Sequence, residues 1–446
     1  MPDSRSLSFA SELRDARGGP TDPAHDARLR RGIIDTSVSR PTALGLTLAF
    51  LVSIYALPIS QAVLERMRDE PSSVASLFKR SPSRENLREF EHELETASFA
   101  KNFVQPRVQL WLSRFGRLGN QRAVIGRHGW LFYTPGITHV AGPNFLDADA
   151  QHTRELEGRQ AEADAKLVQT HAVASLSADP RPAILEFHRM LAARGIRLVV
   201  FPVPDKTMLQ PLQLHGRTAA AHGSVARNPG YGAFVAQLRE QGVLVFDPAP
   251  HKLSAAEPVR FLVQDSHWTP AWMEQVAAEL AQFVASSVTL PPLSAAPELR
   301  RVEQRVARVG DLVDMLKLPE DQTLFQPQTV TVHQLQDSND EPWEPDHDAD
   351  VLLLGDSFTN VFSLDRMEWG EAAGLGPQLA AALKRPLDVI AQNDSGAFAT
   401  RQALWRQQAR GQDRLAGKRV VIWEFASREL SVGDWKRFDW SKAEAD

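Results

Sequence analysis

The stretch VLLLGDSF, residues 351–358, decides the fold because it joins an apolar strand to a polar turn. Four apolar residues in succession are typical of a strand covered on both faces, as in a parallel sheet. Gly355 permits a tight turn, and Ser357 then lies where a helix begins. Free backbone N–H groups at a helix N-terminus can stabilise an oxyanion. The stretch therefore indicates either a serine nucleophile or an ordinary Asp-Ser helix cap.

Strands and helices alternate from residue 181 onward, which predicts an α/β fold with a doubly wound parallel sheet and helices on both faces. The predicted strands are IRLVVFPV, VLVFD, ADVLLLG, PLDVIAQ and KRVVIWEF. Ligands bind such sheets beyond the carboxyl ends of the strands. Polar residues follow the strands at that edge: Asp205, Lys206, Asp247, Ser357, Asn393, Ser427 and Arg428.

The composition excludes several classes of protein. The chain has 446 residues, 43% of them hydrophobic, and a net charge of only −5, so no nucleic-acid partner is expected. Cysteine is absent. Disulfides, thiolate metal sites and a cysteine nucleophile are therefore ruled out.

One segment near the N-terminus has the character of a membrane span. Residues 41–64 contain no charged side chain, and a span needs about 20 residues. The alternatives are a buried core helix or a cleaved signal peptide, but a signal peptide normally has a shorter leading segment. We expect a signal anchor in the inner membrane with the catalytic part in the periplasm. The expected organisation is a disordered cytoplasmic tail (1–40), the anchor (41–64), a helical linker (65–115), a catalytic domain (116–435) and a C-terminal tail (436–446).

The segment QDSHWTP, residues 264–270, offers a base for the serine. Asp265 and His267 are two residues apart, so their side chains share one face of an extended segment. Asp265 can then hold one ring nitrogen of His267 and leave the other for Ser357. Trp268 can wall the site with apolar surface. The alternative is a buried histidine capped by its neighbour.

Other residues are weaker candidates for substrate or oxyanion contacts. Gly355 lies in the turn itself, and Asn393 follows another strand and can donate its side-chain N–H group, or simply form a turn. Lys206 and Arg401 can line a crevice for a polar substrate, although each is more often a surface charge. Asp and His are also metal ligands, but the sequence has no H-E-x-x-H motif, so we expect no metal and no cofactor.

The motifs GRHGWLFY, VVFPVPDKT, DSHWTP, LLLGDSF and VVIWEFASREL follow one another in an order that resembles a known family. The chain looks like the AlgJ/AlgX-type polysaccharide O-acetyltransferases, whose fold is SGNH-hydrolase-like, over about residues 100–430. In ordinary SGNH hydrolases the serine block comes first and the Asp-His block last, so the order here is specific. The chain stops soon after the last motif, without room for the C-terminal carbohydrate-binding module of AlgX.

The resemblance implies a catalytic triad of Ser357, His267 and Asp265. It also implies a periplasmic location, an exopolysaccharide acceptor, and a membrane-bound O-acyltransferase that delivers the acetyl group. We therefore expect a membrane-anchored O-acetyltransferase acting through an acetyl-serine. The two alternatives are a polysaccharide acetylesterase with the same triad and a non-catalytic polysaccharide-binding subunit of a secretion complex.

Overall fold

The computed structural model describes residues 39–71, 73, 81, 83–167, 176–216, 225–249, 259–293, 296–393 and 396–440. The chain divides into two compact units, Met1–Ser98 and Phe99–Asp446. The boundary expected at residue 115 therefore falls inside the second unit. The tail expected over residues 1–40 lies outside the described residues except for its last two positions.

The first unit contains one long apolar helix, α1 (Arg40–Met67). Ser39 caps its N-terminus through a side-chain contact with the Thr42 N–H group, and a proline occupies the first helical turn, where no N–H group is needed. Large apolar side chains along α1, such as Leu44 and Phe50, are 62% exposed. Within the described part of the chain, α1 alone is long and apolar enough to cross a membrane.

The second unit is built on a five-stranded parallel sheet with the order β4-β3-β9-β7-β8. Its strands are β3 (Arg197–Val203), β4 (Leu244–Val245), β7 (Val351–Gly355), β8 (Asp388–Ala391) and β9 (Val420–Ala426). The last strand in sequence, β9, lies between β3 and β7 and pairs with both in parallel register. The sequence prediction of a parallel α/β sheet is confirmed.

Each central strand is buried on both faces, which explains its continuous apolar sequence. In β7, Leu353 points into one core, and Leu352 and Leu354 point into the other. In β9, Ile422 and Trp423 alternate in the same way. Successive side chains of a strand point to opposite faces, so one uninterrupted apolar run serves both layers of helices.

Helices cover the two faces of the sheet. α10 (Pro270–Ser287) and α13 (Leu375–Leu383) supply one core. The second core contains residues of α6 (Pro180–Ala193), α9 (Tyr231–Glu240) and α14 (Gly396–Gln408). The remaining helices are α2 (Arg84–Ala97), α3 (Gln105–Trp111), α4 (Thr134–Ala141), α5 (Ala148–Leu167), α7 (Lys206–Leu209), α8 (Pro211–His215), α11 (Asp311–Leu316), α12 (Ser357–Asn360) and α15 (Glu429–Val432).

Two antiparallel hairpins flank the sheet among the described residues. β1 (Ala123–Ile125) pairs with β2 (Leu131–Tyr133), and β5 (Arg300–Arg308) pairs with β6 (Gln328–Gln336). At the C-terminus, the segment expected to be a tail from residue 436 begins with ordered structure. Trp440 is buried and stacks on Phe187 at a ring distance of 5.3 Å, so this part of the tail closes the second core.

Candidate active site

The nucleophile turn, residues 355–358, joins β7 to α12. Asp356 caps α12 because its Oδ1 atom accepts the Phe358 N–H group at 2.8 Å. Ser357 is the first residue of α12, and its hydroxyl is left for another partner. A Cβ atom added at Gly355 would lie 2.1 Å from Thr359 Oγ1, so only glycine allows the helix to turn back this closely on the strand. The cap interpretation of the GDS sequence is confirmed for Asp356, and the nucleophile interpretation of Ser357 stays a prediction.

The nucleophile turn is fixed to β9 by two carboxyl groups. Asp356 Oδ2 accepts the Ala426 N–H group at 2.8 Å, and Glu424 Oε2 accepts the Asp356 N–H group at 2.9 Å. The Thr359 hydroxyl donates to the same Glu424 oxygen at 2.7 Å. Burial of Glu424, and then the nearby charge of Asp356, raise the pKa of Glu424 well above its usual value. This shift favours the neutral form of Glu424 beside the turn.

His267 lies within hydrogen-bond distance of Ser357. Its Nε2 atom is 2.8 Å from Ser357 Oγ, and its Nδ1 atom is 2.6 Å from Asp265 Oδ1. The three residues form a continuous chain from carboxylate to imidazole to hydroxyl. That geometry is what a serine nucleophile needs from its base and from the residue that orients the base.

The acid–base loop, residues 259–269, carries Asp265 and His267 and has little regular structure. Its two ends are held by a β-bridge between Phe261 and Trp268 and by the Leu262 N–H group, which donates to the His267 carbonyl oxygen. The Val263 N–H group donates to Gln328 Oε1 at 2.8 Å. The loop thus depends on contacts from other parts of the chain.

Asp265 is almost fully enclosed by hydrogen-bond donors. Its Oδ1 atom also accepts the His267 N–H group, and its Oδ2 atom accepts Trp369 Nε1 at 3.0 Å and the Asp311 N–H group at 3.1 Å. Burial disfavours the charged form, but the charge of His267 and these bonds outweigh it, and the pKa of Asp265 is lowered. For His267, burial lowers the pKa, but Asp265 outweighs burial, and the net pKa is raised.

A second carboxyl group, Asp311, stands beside this pair. Asp311 Oδ2 is 3.9 Å from His267 Nδ1 and accepts the Ser266 hydroxyl at 2.6 Å, while Asp311 Oδ1 accepts the Ser266 N–H group at 2.7 Å. Burial and the charge of Asp265 raise the pKa of Asp311 to about 6. The sequence analysis missed Asp311 and Trp369, because nothing in the sequence places either beside residue 265.

Donor atoms of Asp265, His267 and Asp311 all lie within 4.8 Å of one another, a spacing that suits a metal ion. In this structure those atoms form hydrogen bonds with one another and with Ser266. A cation bound there would take His267 Nδ1 away from Asp265. The arrangement is therefore better suited to orienting an imidazole than to holding a metal.

Aromatic rings form the floor beneath the pair of Ser357 and His267. The Phe358 ring packs edge-on against the His267 ring at 4.9 Å and against Trp268 at 5.3 Å. Trp268 is fully buried, so it supports Phe358 from below and offers no surface to a substrate. Phe358 is fully buried as well, so the expectation that Trp268 walls the site with apolar surface is corrected: both rings lie beneath the imidazole.

Two predicted crevice cations prove to be buried. Lys206 Nζ donates to the carbonyl oxygens of Val263 and Asp265 at 3.0 and 2.9 Å, so it braces the acid–base loop. Burial lowers the pKa of Lys206 to about 7. Arg401 is 1% exposed, and its guanidinium lies 4.9 Å from the Trp423 ring in the second core. Neither side chain lines a crevice, so both of these expectations are corrected.

A different cation approaches the site. The Arg428 guanidinium lies 5.6 Å from the centre of the Phe358 ring and is paired with Asp205 at 3.1 Å. The Ser427 hydroxyl donates to the other oxygen of Asp205 at 2.8 Å. The polar residues that follow β3 and β9 therefore meet at one sheet edge, next to the nucleophile turn.

Asn393 follows β8 and is held by Asn360 of α12. Asn360 Nδ2 donates to Asn393 Oδ1 at 2.7 Å, which places the Asn393 amide beside the helix that Ser357 begins. The first N–H groups of α12 are less available than the sequence suggested. Those of Phe358, Thr359 and Asn360 all donate to Asp356.

Comparison with known proteins agrees with this fold and motif order. Residues 123–427 match the family described as "SGNH hydrolase-like domain, acetyltransferase AlgX". The "Probable alginate O-acetylase AlgJ" of Pseudomonas aeruginosa is 25% identical over 334 residues, covering 72% of this chain and 74% of that protein. Its counterpart in Pseudomonas syringae pv. tomato is 28% identical over 258 residues, covering 56% of this chain and 62% of that protein.

Two solved structures are similar to this one. The O-acetyltransferase domain of Pseudomonas putida AlgJ is 22% identical with a TM-score of 0.49, covering 72% of this chain and 97% of that domain. Pseudomonas aeruginosa AlgX is 17% identical with a TM-score of 0.46, covering 71% of this chain and 69% of that chain. Because the family match spans most of the sequence, from β1 to the end of β9, the resemblance noted from the motifs is confirmed, and this chain belongs to the AlgX acetyltransferase family of SGNH hydrolase-like domains.

Proposed function

We propose that this chain is a membrane-anchored O-acetyltransferase that acetylates hydroxyl groups of an exopolysaccharide through an acetyl-Ser357 intermediate. The observation that carries the proposal is the continuous contact from Asp265 to His267 to Ser357, at 2.6 and 2.8 Å, in a member of an acetyltransferase family. The relatives whose names specify a substrate are alginate O-acetylases, and we infer a polysaccharide acceptor for this chain from them.

The first half of the reaction loads the serine. His267 Nε2 takes the proton from Ser357 Oγ, and the oxygen attacks the carbonyl carbon of the acetyl donor. Asp265 stabilises the imidazolium that forms. When the tetrahedral intermediate collapses, the bond to the donor's leaving group breaks, and that group takes the proton from His267. The products are acetyl-Ser357 and the deacetylated donor.

The second half transfers the acetyl group to a sugar. A sugar hydroxyl attacks the acetyl-Ser357 carbonyl while His267 takes the hydroxyl proton, and the collapse returns that proton to Ser357 Oγ. The developing oxyanion needs fixed donors. The Ser357 N–H group and the Asn393 side-chain amide are our candidates, since the next three N–H groups of α12 already donate to Asp356.

We further propose that α1 anchors the chain in the inner membrane, with the second unit in the periplasm. The support is the length and apolar sequence of α1 and the basic residues that precede its uncharged span (41–64), Arg28, Arg30, Arg31 and Arg40. The acetyl donor would then be supplied on the membrane by a membrane-bound O-acyltransferase. Reporter fusions after residue 70 test the orientation. Activity of a reporter that works only in the cytosol would contradict it.

The direct test of the function is to trap the acetylated serine. The purified protein is incubated with a chromogenic acetyl ester, and the peptide that contains Ser357 is analysed by mass spectrometry. We expect one acetyl group on Ser357 in wild type and none in Ser357→Ala. Oligosaccharides from the host matrix should then gain acetyl groups. Rapid ester hydrolysis that no oligosaccharide can divert would instead favour the acetylesterase.

A further inference from the structure

The helical segment that opens the second unit is amphipathic, but most of its large apolar side chains are exposed to solvent. It runs without interruption from a π-helical turn (Ala100–Val104) through α3 to a second π-helical turn (Leu112–Gly116). Ser113 is buried, and Gln109 Nε2 donates to the Leu118 and Gly119 carbonyl oxygens of the turn that follows the helix, at 3.0 and 3.2 Å. Leu110 and Leu112 are half-buried, whereas the other large apolar side chains between Phe103 and Phe115 are exposed.

The outward face, called here the aromatic stripe, consists of six large apolar residues. Their exposed fractions run from 38% to 68%, and the two most exposed are Trp111 and Phe115. Five of them lie on one side of the helical segment at spacings of one, three or four residues, and the sixth, Leu118, follows shortly after the end of the segment. The aromatic stripe comprises Phe103, Val104, Val108, Trp111, Phe115 and Leu118. A soluble protein rarely exposes such a contiguous apolar patch without a partner.

The charged residues of this helix and of the segment that follows it are all of one sign. No acidic residue occurs between Glu95 and Asp147, whereas Lys101, Arg107, Arg114 and Arg117 lie along the helix or just after it. The Arg107 guanidinium lies 3.6 Å from the centre of the Phe103 ring, at the border of the stripe. Cations beside exposed aromatic rings are the pattern of helices that lie in the headgroup region of an anionic bilayer.

We propose that this helix lies in the membrane interface, with the aromatic stripe in the headgroup region of an anionic bilayer and its arginines on lipid phosphates. The proposal rests on the anchoring of α1 proposed above, because α1 would hold the second unit close to a bilayer. Tryptophan favours this interface since its ring is apolar and its N–H group polar. The catalytic unit would thus be fixed to the membrane at its own surface and not only through a tether.

The chain has no cysteine, so single introduced cysteines can carry an environment-sensitive fluorophore. The full chain bearing Val108→Cys is labelled and reconstituted into vesicles of phosphatidylcholine, with or without phosphatidylglycerol. Glu303→Cys, on the exposed side of β5 in the same unit, is the matched control. We expect a blue-shifted emission and quenching by spin-labelled lipids at position 108, stronger with phosphatidylglycerol, and neither effect at position 303.

Two double substitutions separate the contribution of the exposed aromatic rings from that of the neighbouring arginines. Trp111→Gln with Phe115→Gln should abolish the blue shift at position 108, and Arg107→Gln with Arg114→Gln should abolish its dependence on phosphatidylglycerol. Because these side chains are exposed, thermal unfolding should be unchanged. Flotation of the labelled chain reports the α1 anchor independently.

Each outcome decides the proposal. A label at position 108 that stays in water while the chain floats with the vesicles overturns it and leaves the anchor intact. If the label at position 108 is protected in native membranes but exposed in vesicles made from lipid alone, a partner protein covers the stripe, and this outcome also overturns the proposal. A chain that fails to float but still shows the blue shift on mixing with anionic vesicles supports the interfacial helix and refutes the anchor.

Discussion

The nucleophile turn and the acid–base loop bring together the residues of one site, yet they are held in different ways. The turn grows directly out of β7. Its Asp356 N–H group donates to Glu424 of β9, and its Asp356 carboxylate accepts the Ala426 N–H group of β9. The loop lies outside the sheet and is held by its own backbone bridge and by distant side chains, among them Lys206, Gln328 and Trp369. The sheet therefore positions the serine, and side-chain contacts position the histidine. Substitutions that remove a support of the turn and those that remove a support of the loop should therefore have different effects on stability and activity.

Removing a member of the chain Ser357–His267–Asp265 is the largest change. Each alanine substitution should lower the turnover of an acetyl ester by roughly 10⁴-fold or more while the fold persists. Because the three residues act as a unit, the double variant Ser357→Ala/His267→Ala should be little worse than the more damaging single one. A double variant that loses far more activity than either single variant would refute a triad.

Removing a support of the loop should damage stability and activity together. Lys206→Met leaves the buried Asp265 carbonyl oxygen without its Lys206 donor, and the Val263 carbonyl oxygen keeps the Leu131 N–H group. An unsatisfied buried group costs about 1–3 kcal/mol. We expect a lower midpoint in urea denaturation and a lower kcat from a misplaced His267. Lys206→Arg is the matched control for charge. If Lys206→Met unfolds at the wild-type midpoint, Lys206 does not brace the loop.

Asp311→Asn tests the second carboxyl group through pH. His267 must be neutral to take the serine proton, so activity rises as pH rises through the raised pKa of His267. The charge of Asp311, 3.9 Å away, favours the imidazolium. Asparagine keeps the shape and removes the charge, so the acid limb of the pH–rate profile should move to lower pH.

Ser266→Ala is the control for Asp311→Asn, since it removes a hydrogen bond to Asp311 but leaves the carboxylate. Its acid limb should move less than that of Asp311→Asn. Equal shifts in both variants would mean that the hydrogen bond, and not the charge, acts on His267.

The smallest effect is expected below the nucleophile turn. The pKa of Glu424 is raised, which favours its neutral form, so the neutral Glu424→Gln should keep both bonds to its oxygen. We expect a change in unfolding free energy within about 1 kcal/mol, against about 2–5 kcal/mol for Glu424→Ala. Differential scanning calorimetry distinguishes them. A large loss in Glu424→Gln would show that the carboxylate is charged.

The same contrast explains what the sequence could reveal. The segment VLLLGDSF could be interpreted from the sequence because strand, glycine turn and helix cap are local signals within eight residues. Asp265 and His267, two residues apart, could be interpreted for the same reason. Trp369 and Asp311 reach Asp265 across 104 and 46 positions, a distance that periodicity cannot bridge. The predictions for Lys206 and Arg401 were wrong because a charged residue usually remains in solvent. Here Lys206 donates to buried carbonyl groups, and Arg401 is buried against aromatic rings.

The position of β9 at the centre of the sheet has a consequence for how the protein is made. β3 and β7 are both paired with β9 and not with each other. The two halves of the sheet therefore cannot join until the chain has been synthesised beyond residue 426. Such non-local pairing folds slowly. Under the proposed anchoring, the nascent chain crosses the membrane without a formed sheet to unfold, and the turn at Ser357 lacks its bonds to Glu424 and Ala426 until β9 is in place. Catalytic competence arrives only with the last strand.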